Sequence, residues 1–194
     1  PPLCTCGRPC IEVAGMAAGK VQMRREQVDL RVLIGEAAET CRPAIDERGQ
    51  RLQQLLPEVP IPLEADPVRV RQVFMNLLGN AAKYTGPGGT ISVKASTEGE
   101  NAVVRVQDTG IGIAPEIMPH IFDLFTQAEM TSESPGGLGI GLSLVRDAVA
   151  LHGGNVQAIS DGAGKGSEFI VRLPLPPSGT GAGGAPAAGE RKEA

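Results

Sequence analysis

The run from Asp66 to Tyr84 narrows the folds open to this chain more than any other stretch. Asp66 followed by Pro67 marks a helix start. An aspartate side chain accepts the unpaired N–H groups of a first turn, and proline suits the first helical position, where its missing N–H costs nothing. Val70, Val73, Phe74, Leu77, Leu78 and Ala81 then recur at helical spacing, and the glycines from Gly86 to Gly89 end the run. Directly after it, "TISVKAST" and "NAVVRVQD" alternate as strands, joined by a turn at "EGEN". A helix with one apolar stripe, feeding a strand pair, must lay that stripe on a sheet. An α/β sandwich with a mixed sheet follows.

The remaining elements agree. "VDLRVLIGEAAETCRPAIDERG" opens with a capping Asp29 and places Leu30, Leu33, Ala37, Ala38, Cys41 and Ile45 on one helical face, with Gly49 as its stop. "QRLQQLLP" and "IPLEA" predict short strands around a "PEVP" turn. Residues 110–136 show mixed polarity, "GIGLSLVRDAVALHGG" predicts a helix closed by glycines, and "NVQAIS" and "GSEFIVRLPL" predict closing strands. Residues 1–20 form an irregular leader and 176–194 a low-complexity tail, so the folded body is expected between 21 and 175.

Within that body the polar residues are distributed unusually. Asn76, Asn80 and Lys83 make a second stripe on the central helix, away from the apolar one. Asparagine is a mediocre helix former, because its side chain competes for backbone hydrogen bonds. Carboxamide oxygens are hard, neutral ligands that suit a magnesium ion whose negative partners are nucleotide phosphates. A solvated polar face fits the same stripe. In "VVRVQDTGIGI", Val104, Val106 and Asp108 share one side of a strand, which carries Asp108 inward. A buried carboxylate needs hydrogen-bond donors, and an adenine amino group is one. Gly110 and Gly112 allow a sharp turn and close approach of a flat base. A turn-capping aspartate is the plainer alternative. In "GGLGIGLSLV", Gly137, Gly139 and Gly141 free backbone N–H groups for an anion at a helix start, or simply make a flexible lead-in. "GAGKGS" is no P-loop, since Lys165 is followed by Gly166.

Taken in this order and spacing, these segments resemble the catalytic ATP-binding domain of sensor histidine kinases, within the superfamily of Bergerat-fold ATPases and kinases. "NLLGNAAKY" resembles its asparagine box, "DTGIGI" its first glycine box, "IFDLFTQ" its phenylalanine box and "GGLGIGLSLV" its second glycine box. "LHGGNVQAISDGAGKGSEFIVRLP" resembles its closing segment, with Ser167 where Thr or Ser is expected. The resemblance implies a two-layer sandwich, a mixed and mostly antiparallel sheet on about three helices, with a mobile ATP lid over 112–137. It implies ATP and Mg2+ as ligands. Asp108 would bind adenine, Gly110, Gly112 and Ile113 would shape the base pocket, and Lys83 and Tyr84 would frame the nucleotide. Asn76 and Asn80 would hold magnesium and phosphate. Gly137, Leu138, Gly139, Ile140, Gly141 and Leu142 would wrap the phosphates, and Ser167 would complete the site. Phe122 and Phe125 are expected to anchor the lid in the core.

ATPases of the gyrase, mismatch-repair and heat-shock chaperone types are similar to one another in placing a glutamate one turn before the magnesium asparagine, as base for water. Asn76 holds that place here, and an amide takes no proton at neutral pH. A kinase is favoured over a water-activating ATPase, an anti-sigma-type serine kinase or a non-catalytic nucleotide-gated module. The family presents its acceptor histidine in an H-E-x-x-T/N-P setting on a preceding hairpin, and no such motif occurs here. "GMAAGKVQMRREQVDL" resembles the linker from that hairpin. The chain is thus expected to be part of a longer, homodimeric kinase, to bind ATP–magnesium and not to phosphorylate itself. A histidine-containing dimerisation domain and a response-regulator receiver domain are its implied partners. His120 and His152 are expected to be structural.

A net charge of −4 and the lack of a Lys/Arg cluster argue against nucleic acid as a partner. No apolar run approaches the roughly 18 residues of a membrane span, so a cytoplasmic module without membrane contact of its own is expected, whether or not its parent is anchored. Cys4, Cys6 and Cys10 lack a fourth partner that would make a zinc site, and Cys41 stands apart on a helix.

Overall fold

The structure, a computed structural model, describes residues 23–124 and 139–177. Its elements are β1 (Glu26–Asp29), α1 (Leu30–Glu47), β2 (Arg51–Leu55), β3 (Pro62–Ala65), α2 (Pro67–Tyr84), β4 (Thr90–Glu98), β5 (Asn101–Asp108), α3 (Gly141–Leu151), β6 (Asn155–Ile159) and β7 (Ser167–Pro174), with a single 3-10 turn at Met118–His120. Five strands form one sheet in the order β2-β4-β5-β7-β6, parallel only between β2 and β4, and three helices cover one face. This is the two-layer sandwich expected of the sequence.

Both long helices begin as their caps dictate. The Asp29 carboxylate accepts the Arg31 N–H, and the Asp66 carboxylate accepts those of Val68 and Arg69, with Pro67 in the first turn. Leu30, Leu33, Ile34, Ala37 and Ala38 of α1 and Val70, Val73, Phe74, Leu77, Leu78 and Ala81 of α2 are buried. They meet Ile91, Val93 and Ala95 of β4, Ala102, Val104 and Val106 of β5, and Phe169, Val171 and Leu173 of β7. Burying each large side chain contributes roughly 1.5–3 kcal/mol, so a core of aliphatic residues with few aromatics suffices.

Two features depart from the sequence reading. β1 is a strand where none was expected, and β3 pairs with β1 in a separate two-stranded ribbon, while β2 joins the main sheet beside β4. The "PEVP" turn therefore connects strands of two different sheets. The Arg31 guanidinium holds it by donating to the Pro57 and Glu58 carbonyls. Asp29 secures the other side, accepting the Ile61 N–H at 3.2 Å.

The ends of α3 lie against different parts of the fold. At its start, the Asn76 amide of α2 donates to the Gly141 carbonyl over 3.4 Å. At its finish, Leu151 O accepts the Arg25 guanidinium at 2.9 Å, just before β1. His152 is buried there, its Nδ1 2.7 Å from the Ala148 carbonyl and its Nε2 accepting the Asp66 N–H at 3.0 Å. That pairing needs the neutral ring with the proton on Nδ1, and it gives His152 the structural role expected of it. His120 bonds Asp123 at 3.1 Å on the surface.

Candidate nucleotide site

The site is built at the C-terminal end of β5, where the strand delivers Asp108 between Ile91 of β4 and Ser167 of β7. Asp108 is only 7% exposed. Its Oδ1 accepts the Gly110 N–H at 2.8 Å and its Oδ2 accepts the Ser167 hydroxyl at 2.5 Å. A carboxylate offers about four lone-pair directions. Two are engaged, and the remainder fit a donor such as a purine amino group. The carboxylate chemistry thus suits adenine.

The walls around this acid are set by glycine. A Cβ at Gly110 would lie 2.3 Å from the Tyr84 carbonyl oxygen and 2.8 Å from Asp108 Oδ1, so only glycine fits. The next residue, Ile111, donates its N–H to that same Tyr84 carbonyl at 3.1 Å, tying the loop to the end of α2. Gly112 has a φ of +72°, and a Cβ there would sit 2.0 Å from the Gly162 carbonyl oxygen. Ile113 packs half-buried against the core edge.

Along α2, Asn76, Asn80, Lys83 and Tyr84 are all half-buried, and Asn76, Asn80 and Lys83 form a stripe beside the buried face. With its nitrogen on Gly141, Asn76 keeps its amide oxygen available to a cation. Among the described residues no group of three or more His, Cys, Asp or Glu side chains makes a metal site. A divalent ion here would be held by amide oxygens and phosphates, which these neutral ligands fit. The Lys83 ammonium lies 4.7 Å over the Tyr84 ring and donates to its hydroxyl at 3.1 Å. The α2 C-terminus that carries them is braced from the turn between α1 and β2: Gln50 Nε2 reaches the Ala82 and Thr85 carbonyls, and Arg48 those of Ala82 and Lys83.

Facing this stripe, α3 starts without a capping side chain at Ile140, which leaves first-turn N–H groups open to an anion. Gly139 takes a φ of +66°, and Ile140, Gly141 and Leu142 are half-buried. Gly137, Leu138 and Phe125 lie outside the described residues, as do Cys4, Cys6, Cys10, the leader, the tail beyond residue 177 and the second half of the expected lid. Phe122 meets Phe169 edge to face, with ring centres 6.3 Å apart, which makes it the core anchor expected of it. Beside it, Asp123 is held below the usual carboxylate range, first by its hydrogen bond to His120 and then by Arg146 of α3.

The sequence reading did not single out Ser160, Thr109, Gln50 or Arg48. Thr109 Oγ accepts the Thr90 N–H at 2.9 Å, closing the β4–β5 end beside Asp108. Their one visible signal was proximity to glycine runs, because each acts on a partner distant in sequence.

The comparisons agree with this geometry. Residues 65–177 match the family of histidine kinase-, DNA gyrase B- and HSP90-like ATPases. The circadian input-output histidine kinase CikA of Synechococcus elongatus is 43% identical over 111 residues, covering 57% of this chain and 15% of its own length. The histidine protein kinase DivJ of Caulobacter vibrioides is 32% identical over 165 residues, 85% of this chain and 28% of its own. The chain thus spans under a third of either relative. Among solved structures, the catalytic domain of histidine kinase ThkA superposes with a TM-score of 0.70 at 27% identity, over 79% of this chain and 99% of that one. Full-length ShkA, in complex with AMPPNP, gives 0.74 at 31% identity over 86% of this chain and 34% of that one. With the fold, the carboxylate at the end of β5 and the asparagine stripe of α2 all in place, the chain belongs to the histidine kinase-, DNA gyrase B- and HSP90-like ATPase family, as an ATP-binding catalytic domain of the sensor histidine kinase type.

Proposed function

We propose that this chain binds ATP and transfers its γ-phosphoryl group to a histidine on a separate dimerisation and phosphoacceptor domain, for relay to a response-regulator receiver domain. The observation that carries the proposal is the buried Asp108 carboxylate, engaged by Gly110 and Ser167 yet with lone pairs to spare for a purine amino group. The ShkA complex, whose bound AMPPNP is an adenylyl nucleotide, supports that choice of ligand.

Asp108 fixes the base, with Gly110, Gly112 and Ile113 as the slot. The open first turn of α3, with Gly139, Ile140, Gly141 and Leu142, faces the phosphates, and Lys83 and Tyr84 close the side. Asn76 and Asn80 would hold Mg2+, which would neutralise phosphate charge there. With an amide at position 76, no side chain of the stripe is a base for water. Positioning and charge neutralisation remain, and they suffice for transfer to an imidazole that is already nucleophilic. Among the described residues no helix is long and apolar enough to cross a membrane, in keeping with a cytoplasmic catalytic part.

Mixing the chain with a histidine-hairpin domain and γ-labelled ATP tests this. Acid-labile, base-stable label on the hairpin is the expected result. Release of inorganic phosphate without labelled hairpin, or acid-stable label on serine, would overturn it.

A further inference from the structure

We propose that Ser160, at the start of the β6–β7 turn, is a positioning residue for the purine side of this site, a role that rests on the nucleotide reading above. Its hydroxyl has one proton to give and two acceptor sites, and all three are used. It donates to the Gly166 carbonyl at 2.7 Å and accepts the N–H groups of Ile113 at 3.0 Å and Gly162 at 3.3 Å.

The partners define the role. Ile113 belongs to the loop that follows Asp108, whereas Gly166 directly precedes Ser167, whose hydroxyl holds the Asp108 carboxylate. One hydroxyl therefore joins the two segments that flank the acid, 47 residues from one partner and 6 from the other. The same segments meet through backbone bonds: Gly164 N–H to Ile111 O at 2.6 Å and Gly166 N–H to Gly110 O at 3.1 Å. Their contact is close because Gly112 and Gly166 both carry positive φ, and a Cβ at Gly166 would lie 2.1 Å from the Asp108 carbonyl oxygen. Backbone bonds fix Gly110 and Ile111. Ser160 is what extends the attachment to Ile113, where the slot ends. A part-buried N–H left without its acceptor drives local rearrangement, so losing this hydroxyl loosens the slot without touching the asparagine stripe.

The test uses three variants and two probes, with the full chain. Ser160→Ala is expected to weaken Mg–ADP binding about 2- to 12-fold, a range that corresponds to one unmade part-buried hydrogen bond. In transfer assays the KM for ATP should rise by a similar factor, with kcat within about threefold. Ser160→Thr, which keeps the oxygen, should restore most of the affinity. Mg–tripolyphosphate, which lacks a base, should bind wild type and Ser160→Ala alike. If Ser160→Ala does not fold, Ser160→Cys, nearly isosteric but a poor acceptor, carries the same prediction. Unchanged ADP affinity in a folded Ala or Cys variant would overturn the assignment. So would equal losses for ADP and tripolyphosphate, or failure of Thr to rescue. A wild-type chain that binds no ADP overturns the nucleotide reading itself, a result separate from any variant.

Discussion

Exchanging Asp108 for asparagine alters one terminal atom and one charge at the centre of the site. The retained Oδ1 still accepts the Gly110 N–H, now at 2.8 Å. The new amide nitrogen takes the place of Oδ2, and the Ser167 hydroxyl turns from donating to accepting. The β5–β7 pairing of Asp108 with Ser167 is made by backbone and persists. Folding stability should therefore change by no more than about 1 kcal/mol. Adenine binding fares differently. A hydrogen bond to a charged group contributes about 1.5–3 kcal/mol, so replacing the carboxylate acceptor should weaken an adenylyl nucleotide about 10- to 150-fold. Guanine presents a carbonyl where adenine presents its amino group, and an amide N–H can serve it, so a guanylyl nucleotide should lose far less. Calorimetric titration with non-hydrolysable adenylyl and guanylyl analogues, alongside urea unfolding, measures all three quantities. A folded variant that keeps wild-type adenylyl affinity would refute the purine assignment of Asp108.

Asn80→Ala should erase most of the gain in nucleotide affinity that Mg2+ confers while leaving metal-free binding within about twofold. Titrations with and without the ion measure this, and an undiminished magnesium effect would count against the amide ligands. Acid stability offers another check through Asp29. Its side-chain hydrogen bond to Arg31, aided by the N–H groups of Arg31 and Ile61 against the opposing effect of burial, holds its carboxyl below the ordinary value of 3.8. A folded-state value lower than the unfolded one stabilises fully above 3.8 and is lost as pH falls through the lowered value. Asp29→Asn keeps a capping acceptor but not the charge, so its urea midpoint should drop less than that of wild type between pH 6 and roughly pH 3. Parallel curves would refute the linkage.

The parts of this fold that could be read from sequence are those whose signal is local. Asp66–Pro67 and the spacing of Val70 to Ala81 fixed α2 because cap and period both lie within one segment. The alternation of β4 and β5 likewise pointed Asp108 inward. β1 escaped notice because Val28 is its one apolar residue, and its pairing with β3, 36 positions away, is non-local. The split of β2 and β3 between two sheets was hidden for the same reason. At the site, the sequence supplied the asparagine stripe, the acid and the glycines. It did not supply Ser160, a serine at a strand end like many others. Nor did it supply the Gln50 and Arg48 brace, whose targets are carbonyl groups that every residue possesses.

The eleven residues of α3 make a strut about 16 Å long. Asn76 clasps its first turn, whereas Arg25 and the His152–Asp66 pair grip its last. One rigid element thus joins the edge of the cleft to Arg25, just ahead of β1.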